Sequence, residues 1–143
     1  LAKGTGSGNL SEKSANGEAA VKLQWELARD IRLITSHGAG WIAIDGERFA
    51  TNLIVTPTAV HPGWAPGGWA TLDGAAIDQL LALEPELILL ASGPQLSWPP
   101  KAALARLVSS GVGFEVMALA AACRTYNVVA SEGRRVVAGL VLC

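Results

Sequence analysis

The apolar positions of this chain come in short blocks cut by glycine, proline and polar residues, and the length and period of each block predict an element. Residues 31–36 and 41–44 read as two strands around the glycine-rich turn His37-Gly38-Ala39-Gly40. Asp45-Gly46 follows, a pair that tolerates the positive φ of a tight hairpin, and residues 47–49 continue the ribbon. Leu53, Ile54 and Val55 form an unbroken apolar run, the pattern of a strand covered on both faces, and Pro57 closes it. Residues 57–69, PTAVHPGWAPGGW, read as a loop. A helix starts at Thr71 as cap, with Asp73 in the first turn complementing the dipole. Helical spacing sets Leu72, Ala76, Ile77, Leu80 and Leu81 on one face, and Pro85 ends the pattern.

Two strand–helix units and a last strand follow. Residues 87–91, LILLA, predict a buried strand that Ser92-Gly93-Pro94 breaks. Pro99-Pro100 opens a helix at a position where a missing N–H costs nothing. Its expected face is Leu104, Leu107 and Val108, with Gly111 as C-terminal cap. Residues 113–116 predict a short buried strand turning directly into a helix over about 119–130. Leu119, Ala122, Cys123, Tyr126 and Ala130 share its apolar face, and Arg124, Asn127 and Ser131 form a narrower polar stripe. On that face the Tyr126 ring is expected to be buried with its hydroxyl bonded. Asn127, a poor helix-interior residue, is expected to bond a neighbouring loop. Gly133 ends the helix, and residues 134–142 read as a well-covered closing strand. The alternation predicts an α/β fold, a sheet with helices on its faces, and the N-terminal β ribbon as an added layer.

Composition changes this picture mainly at the N-terminus. Residues 1–20 are dominated by Gly, Ser, Asn and Ala and start at Leu1 rather than Met. They read as a flexible tail or an added extension, leaving 21–143 as a single α/β domain. Gly4-Thr5-Gly6 fails as a dinucleotide fingerprint, because no strand precedes it and no helix follows. Residues 22–29 read as a turn or a short helix. The whole chain of 143 residues is 50% hydrophobic and 16% charged, enough apolar surface for an unstapled core. The net charge of −1, with only Arg134-Arg135 adjacent, argues against nucleic acid as a partner. No apolar run approaches the ~20 residues of a membrane span. Two cysteines, Cys123 and Cys143, are too few for a disulfide framework or a cysteine-rich zinc site, and they fit a reduced, cytoplasmic compartment.

Candidate chemistry is sparse. If strands 87–91 and 113–116 are parallel, their carboxyl ends form one rim carrying Ser92, Gly93 and the N-terminus of the last helix. Amide N–H groups there suit an anion, with Arg124 as a candidate ligand-binding residue. Arg124 nevertheless lies on the order of 10 Å from the rim, where it reaches a neighbour or partner surface or makes a structural ion pair or backbone hydrogen bond. Ser92 lacks a G-x-S-x-G elbow and reads as a turn residue. His37 and His61 are the only histidines, and neither has a partner at ligand spacing. Glu115 has no paired carboxylate. No catalytic residue, metal site or cofactor is expected. Trp64 and Trp69 either cover an end of the core or mark a partner surface.

The residues are specific enough for a family resemblance. Leu87 to Gly93 (LILLASG), Trp98-Pro99-Pro100, Gly111 to Met117 (GVGFEVM), Ala121 to Asn127 (AACRTYN) and Glu132 to Val136 (EGRRV) resemble a small domain-of-unknown-function family. Its eukaryotic relatives include a mitochondrial assembly factor for respiratory NADH:ubiquinone oxidoreductase and an adipogenesis-associated protein. The resemblance spans about residue 22 to the C-terminus. It implies a three-layer β+α/β/α fold around a central mixed sheet. It also implies a non-enzymatic binding or assembly-factor-like role, with a protein partner in membrane or respiratory-complex assembly. It leaves the oligomeric state open. The alternative is a small-molecule or anion site at Ser92, Gly93 and Arg124. Two positions depart from the family pattern. Ala91-Ser92-Gly93 replaces Gly-Thr-Gly, and Ala118-Leu119 replaces Asp-Thr, which removes a charged group at the helix start.

Overall fold

The computed structural model describes residues 30–143, and its compact unit is Arg32–Cys143. The expectations for residues 1–20 and 22–29 lie outside the described residues. Eight strands and three helices follow in order: β1 (Ile34–Gly38), β2 (Trp41–Ile44), β3 (Glu47–Phe49), β4 (Leu53–Val55), β5 (Val60–Pro62), α1 (Gly74–Leu81), β6 (Leu87–Ser92), α2 (Lys101–Ser110), β7 (Gly113–Met117), α3 (Leu119–Ser131) and β8 (Val136–Val141). Strands β1-β2-β3 make an antiparallel ribbon, and the other five form a sheet of order β5-β4-β8-β6-β7. Pairs β6–β7 and β6–β8 are parallel while β4–β8 and β4–β5 are antiparallel, so the sheet is mixed. The α/β class and the added ribbon are thus as the residue pattern implies.

Alternation along the strands sorts the core into two faces. Ile54, Ile88, Leu90, Val137 and Val141 pack with Trp64, Ala76, Ile77, Leu80, Ala103 and Leu107, the inward residues of α1 and α2 and the loop before them. On the other face α3 lies against β8 and β6 and also meets β1 of the ribbon. Its buried residues are Leu119, Ala122, Cys123, Tyr126, Val129 and Ala130, which matches the expected stripe. Tyr126 is fully buried. Its hydroxyl donates to the Arg32 carbonyl at 2.8 Å.

Asn127 fixes the ribbon. Its Oδ1 accepts from the Ile34 N–H at 2.8 Å and its Nδ2 donates to the Ile34 carbonyl at 2.7 Å. Strand β1 is an edge of the ribbon, so one helix side chain supplies both bonds that a further strand would make.

Several expectations need correction. The stretch 57–69 is not all loop: Val60–Pro62 forms β5, at the outer edge of the sheet, where proline's missing N–H is tolerated. Strand β7 is also an edge, and its residues alternate between exposed and half-buried instead of being buried. On α2, Val108 is 65% exposed and Ala103 takes the inward place. Asp73, not Thr71, caps α1, its side chain accepting from the Ala76 N–H at 3.0 Å. That helix ends at Leu81, before Pro85 comes into play, and Gly111 caps α2 with φ 75° as expected.

Candidate functional site

Parallel pairing of β6 with β7 and β8 brings three strand ends to one rim, with Ala91 beside Met117 and Ser92 beside Val141. Two of the expected site residues, Ser92 and Gly93, are buried there. The Ser92 hydroxyl is committed to the turn that follows. It donates to the Gln95 carbonyl at 2.7 Å, has a longer contact of 3.4 Å to the Met117 carbonyl, and accepts from the Ser97 N–H at 3.0 Å. Gly93 has φ 91°, and a Cβ there would stand 2.9 Å from the carbonyl carbon of Cys143. A glycine is therefore required on both conformational and steric grounds. The Gly93 carbonyl accepts the Leu119 N–H at 2.7 Å, which ties the first turn of α3 to the rim. No side chain caps α3, because Ala118 stands at its N-cap.

The other expected residues separate from this pair. Arg124 is exposed and lies five residues beyond the start of α3, about 8 Å along the axis, and it makes none of the bonds that shape the 92–97 turn. Trp64 is 3% exposed. Its ring fills the space over Gly139, where a Cβ would come within 2.7 Å, and its Nε1 donates to the Ala76 carbonyl at 3.0 Å. Trp64 therefore covers the core and presents nothing to a partner. Trp69 is half-buried, and its Nε1 donates to the Trp98 carbonyl at 3.0 Å.

The exposed apolar groups at the rim are instead Leu96, 67% exposed, and Trp98, 73% exposed. Both belong to the loop between β6 and α2, which the residue pattern marked only as punctuation. Pro94, Pro99 and Pro100 stiffen this loop, and the Ser92 hydroxyl and the Trp69 indole hold it from below. The signal was present in the sequence as two large apolar residues, Leu96 and Trp98, among Pro, Ser and Gln.

Among the described residues no histidine is hydrogen-bonded to Ser92 or to the exposed Cys143 thiol, so the rim holds no coupled nucleophile and base. His61 lies on β5, three strand spacings from β6, or roughly 14 Å. His37 is exposed on the ribbon. Burial pushes the Cys123 thiol up to about 11, against the opposing charge of Arg124, so the thiol stays protonated at neutral pH. Burial also raises the Tyr126 phenol, with the Asp45 charge adding to it and Arg32 opposing. Among the described residues no three His, Cys, Asp or Glu side chains are grouped to hold a metal ion, and no helix is long and apolar enough to cross a membrane.

Known proteins are similar to this chain. An uncharacterized protein of Rhodobacter capsulatus is 34% identical over 108 residues, 76% of this chain and 82% of that protein. The 13 kDa major membrane protein of Francisella tularensis is 35% identical over 60 residues, 42% of this chain and 49% of that protein. A crystal structure of a Bordetella parapertussis protein superposes with a TM-score of 0.72 at 30% identity, covering 79% of this chain and 97% of that one. A family model described as "Protein of unknown function (DUF498/DUF598)" matches residues 34–141, the span from the first strand of the ribbon to the last strand of the sheet, and the chain belongs to that family.

Proposed function

We propose that this domain is a non-enzymatic binding protein that works at a membrane in the manner of an assembly factor. The observation that carries this reading is the use made of the rim. Its polar groups are spent internally, the Ser92 hydroxyl on the 92–97 turn and the Gly93 carbonyl on α3, while Leu96 and Trp98 are held out to solvent. Large apolar side chains displayed on a stiffened loop are a contact surface rather than a reaction centre. The name of the Francisella relative, a major membrane protein, supports a membrane setting. The two free thiols suit its cytoplasmic side. The test is affinity purification from gently solubilised membranes of the native host, together with deletion of the gene. A membrane complex that co-purifies and is depleted in the deletion strain is expected. Recovery of the domain alone, with every membrane complex unchanged, would refute the reading.

A second reading places a small anion against Ser92, Gly93 and the start of α3, with Arg124 as counter-charge. It is favoured by the lack of a capping side chain at that helix, which stands at the carboxyl ends of two parallel strands. A ligand at ~100 times its Kd stabilises the fold by about 2.7 kcal/mol. A thermal-shift screen over phosphate, nucleotides and organic acids therefore decides it, and a flat screen removes it.

A further inference from the structure

The rim that bears Leu96 and Trp98 extends further than the 93–100 loop. A Cβ on Gly93 would lie 2.9 Å from the Cys143 carbonyl carbon, and one on Gly40 would lie 3.6 Å from the Cys143 Sγ. The loop after β6 and the turn between β1 and β2 therefore flank the same residue. Just after that turn, Trp41 carries the Arg48 guanidinium 3.7 Å above its ring centre. Lys101, exposed, opens α2 directly behind Trp98 and the two prolines.

Away from the ribbon, where Glu47 adjoins Arg48 and Asp45 pairs with Arg32, the charges at this end are mostly of one sign. From residue 87 to 114 the chain holds Lys101 and Arg106 and no acid, and Arg106 is paired with Asp78. Residues 117–123 are uncharged, and Arg124 follows. Asp73 also stands here, but its carboxylate is occupied in capping α1. Glu115 sits in the middle of β7, beside Leu89 rather than at the strand end. Glu84 and Glu86 precede β6 and Glu132 follows α3, which puts these acids at the amino ends of the parallel strands, away from the rim.

We propose that this rim seats the protein on an anionic lipid bilayer, with Leu96 and Trp98 entering the headgroup interface and Arg48 and Lys101 facing the lipid phosphates. The inference rests on the binding reading above and names its partner class. Tryptophan suits an interface because its ring is apolar and its N–H is polar. Cations near the surface add attraction to acidic headgroups, which salt screens. Because the loop is already fixed by Ser92, Trp69 and three prolines, docking orders little new chain.

The test is flotation of the full chain with vesicles of phosphatidylcholine alone or mixed with phosphatidylglycerol, at low and high salt. Binding to the mixed vesicles is expected, weakened by salt and accompanied by a blue shift of tryptophan emission. Leu96→Ser with Trp98→Ser should lower partitioning about tenfold or more. Lys101→Glu should lower it about fivefold. All three positions are exposed or at a helix start, and an unchanged urea midpoint confirms that the variants fold. Equal affinity for both vesicles, or binding indifferent to the Leu96 and Trp98 changes, overturns the proposal. If the chain ignores pure lipid but binds host membranes until protease strips their proteins, the partner is a protein. The lipid proposal then fails while the binding reading survives.

Discussion

Replacing Asn127 by alanine removes the side chain that pairs both backbone groups of Ile34 at the edge of the ribbon. Ile34 is 6% exposed, so water has little access to the two backbone groups that Asn127 satisfies. Each bond has a net worth of about 0.5–1.5 kcal/mol, and a buried group left unsatisfied costs about 1–3 kcal/mol. Partial relaxation of the ribbon toward solvent recovers some of this, so Asn127→Ala should cost about 2–3 kcal/mol. That is a large share of the ~5–15 kcal/mol that holds a domain folded. Urea unfolding should show a lower midpoint at unchanged slope. Amide exchange should accelerate first at Ile34 and its ribbon neighbours. Asn127→Asp sharpens the argument. An ionised carboxylate can still accept from the Ile34 N–H but repels the Ile34 carbonyl, whereas a protonated one can donate to it. This variant should therefore be weakest at neutral pH and regain stability as pH falls through the carboxyl's raised folded-state value. A wild-type midpoint for Asn127→Ala, with exchange at Ile34 unchanged, would refute the strand-surrogate role.

The remaining predictions concern the two faces of the sheet. Tyr126→Phe should cost about 1–2 kcal/mol through the orphaned Arg32 carbonyl, and Tyr126→Ala about 3–5 kcal/mol through the cavity as well; denaturant titration separates the two. Cys123, raised to about 11, should resist thiol reagents in the native protein while exposed Cys143 reacts, and both should react after denaturation. Because the folded thiol keeps its proton to higher pH than the unfolded one, its contribution is fully present below about 9 and is lost as pH rises toward about 11.

Where a residue's neighbours lie close in sequence, the pattern was readable. The Asp45-Gly46 hairpin, the stripe on α3 and the Gly111 cap follow from local geometry alone, and each forms where expected. What failed depended on long-range placement. Whether β7 is central or at an edge is decided by where β8 inserts, and nothing in GFEVM states it. The exposure of Val108 depends on how α1 crosses α2. The choice between the two readings of Trp64, and the exposure of Trp98, have the same origin. Trp64 finds its place over Gly139, 75 positions later in the sequence, a vacancy that only the assembled sheet reveals. Ser92 and Gly93 were legible as a rim and Ser92 as a turn residue, but not which carbonyl and amide groups would take up its hydroxyl.

The central position of β8 has a consequence for how the protein is made. Strand β8 pairs with β4 on one side and β6 on the other, and it is the last of the described elements to leave the ribosome. Until it arrives, β4–β5 is an isolated hairpin and β6–β7 a two-stranded parallel unit, each with an open edge facing the other. Two-stranded pieces are marginal in water, and open apolar edges invite pairing with other chains. Closure of the sheet is thus a late, non-local event rather than a gradual one, which makes for slow folding. A nascent chain stalled before residue 136 would expose Ile54, Ile88 and Leu90 together, and chaperone capture during synthesis should peak in that interval.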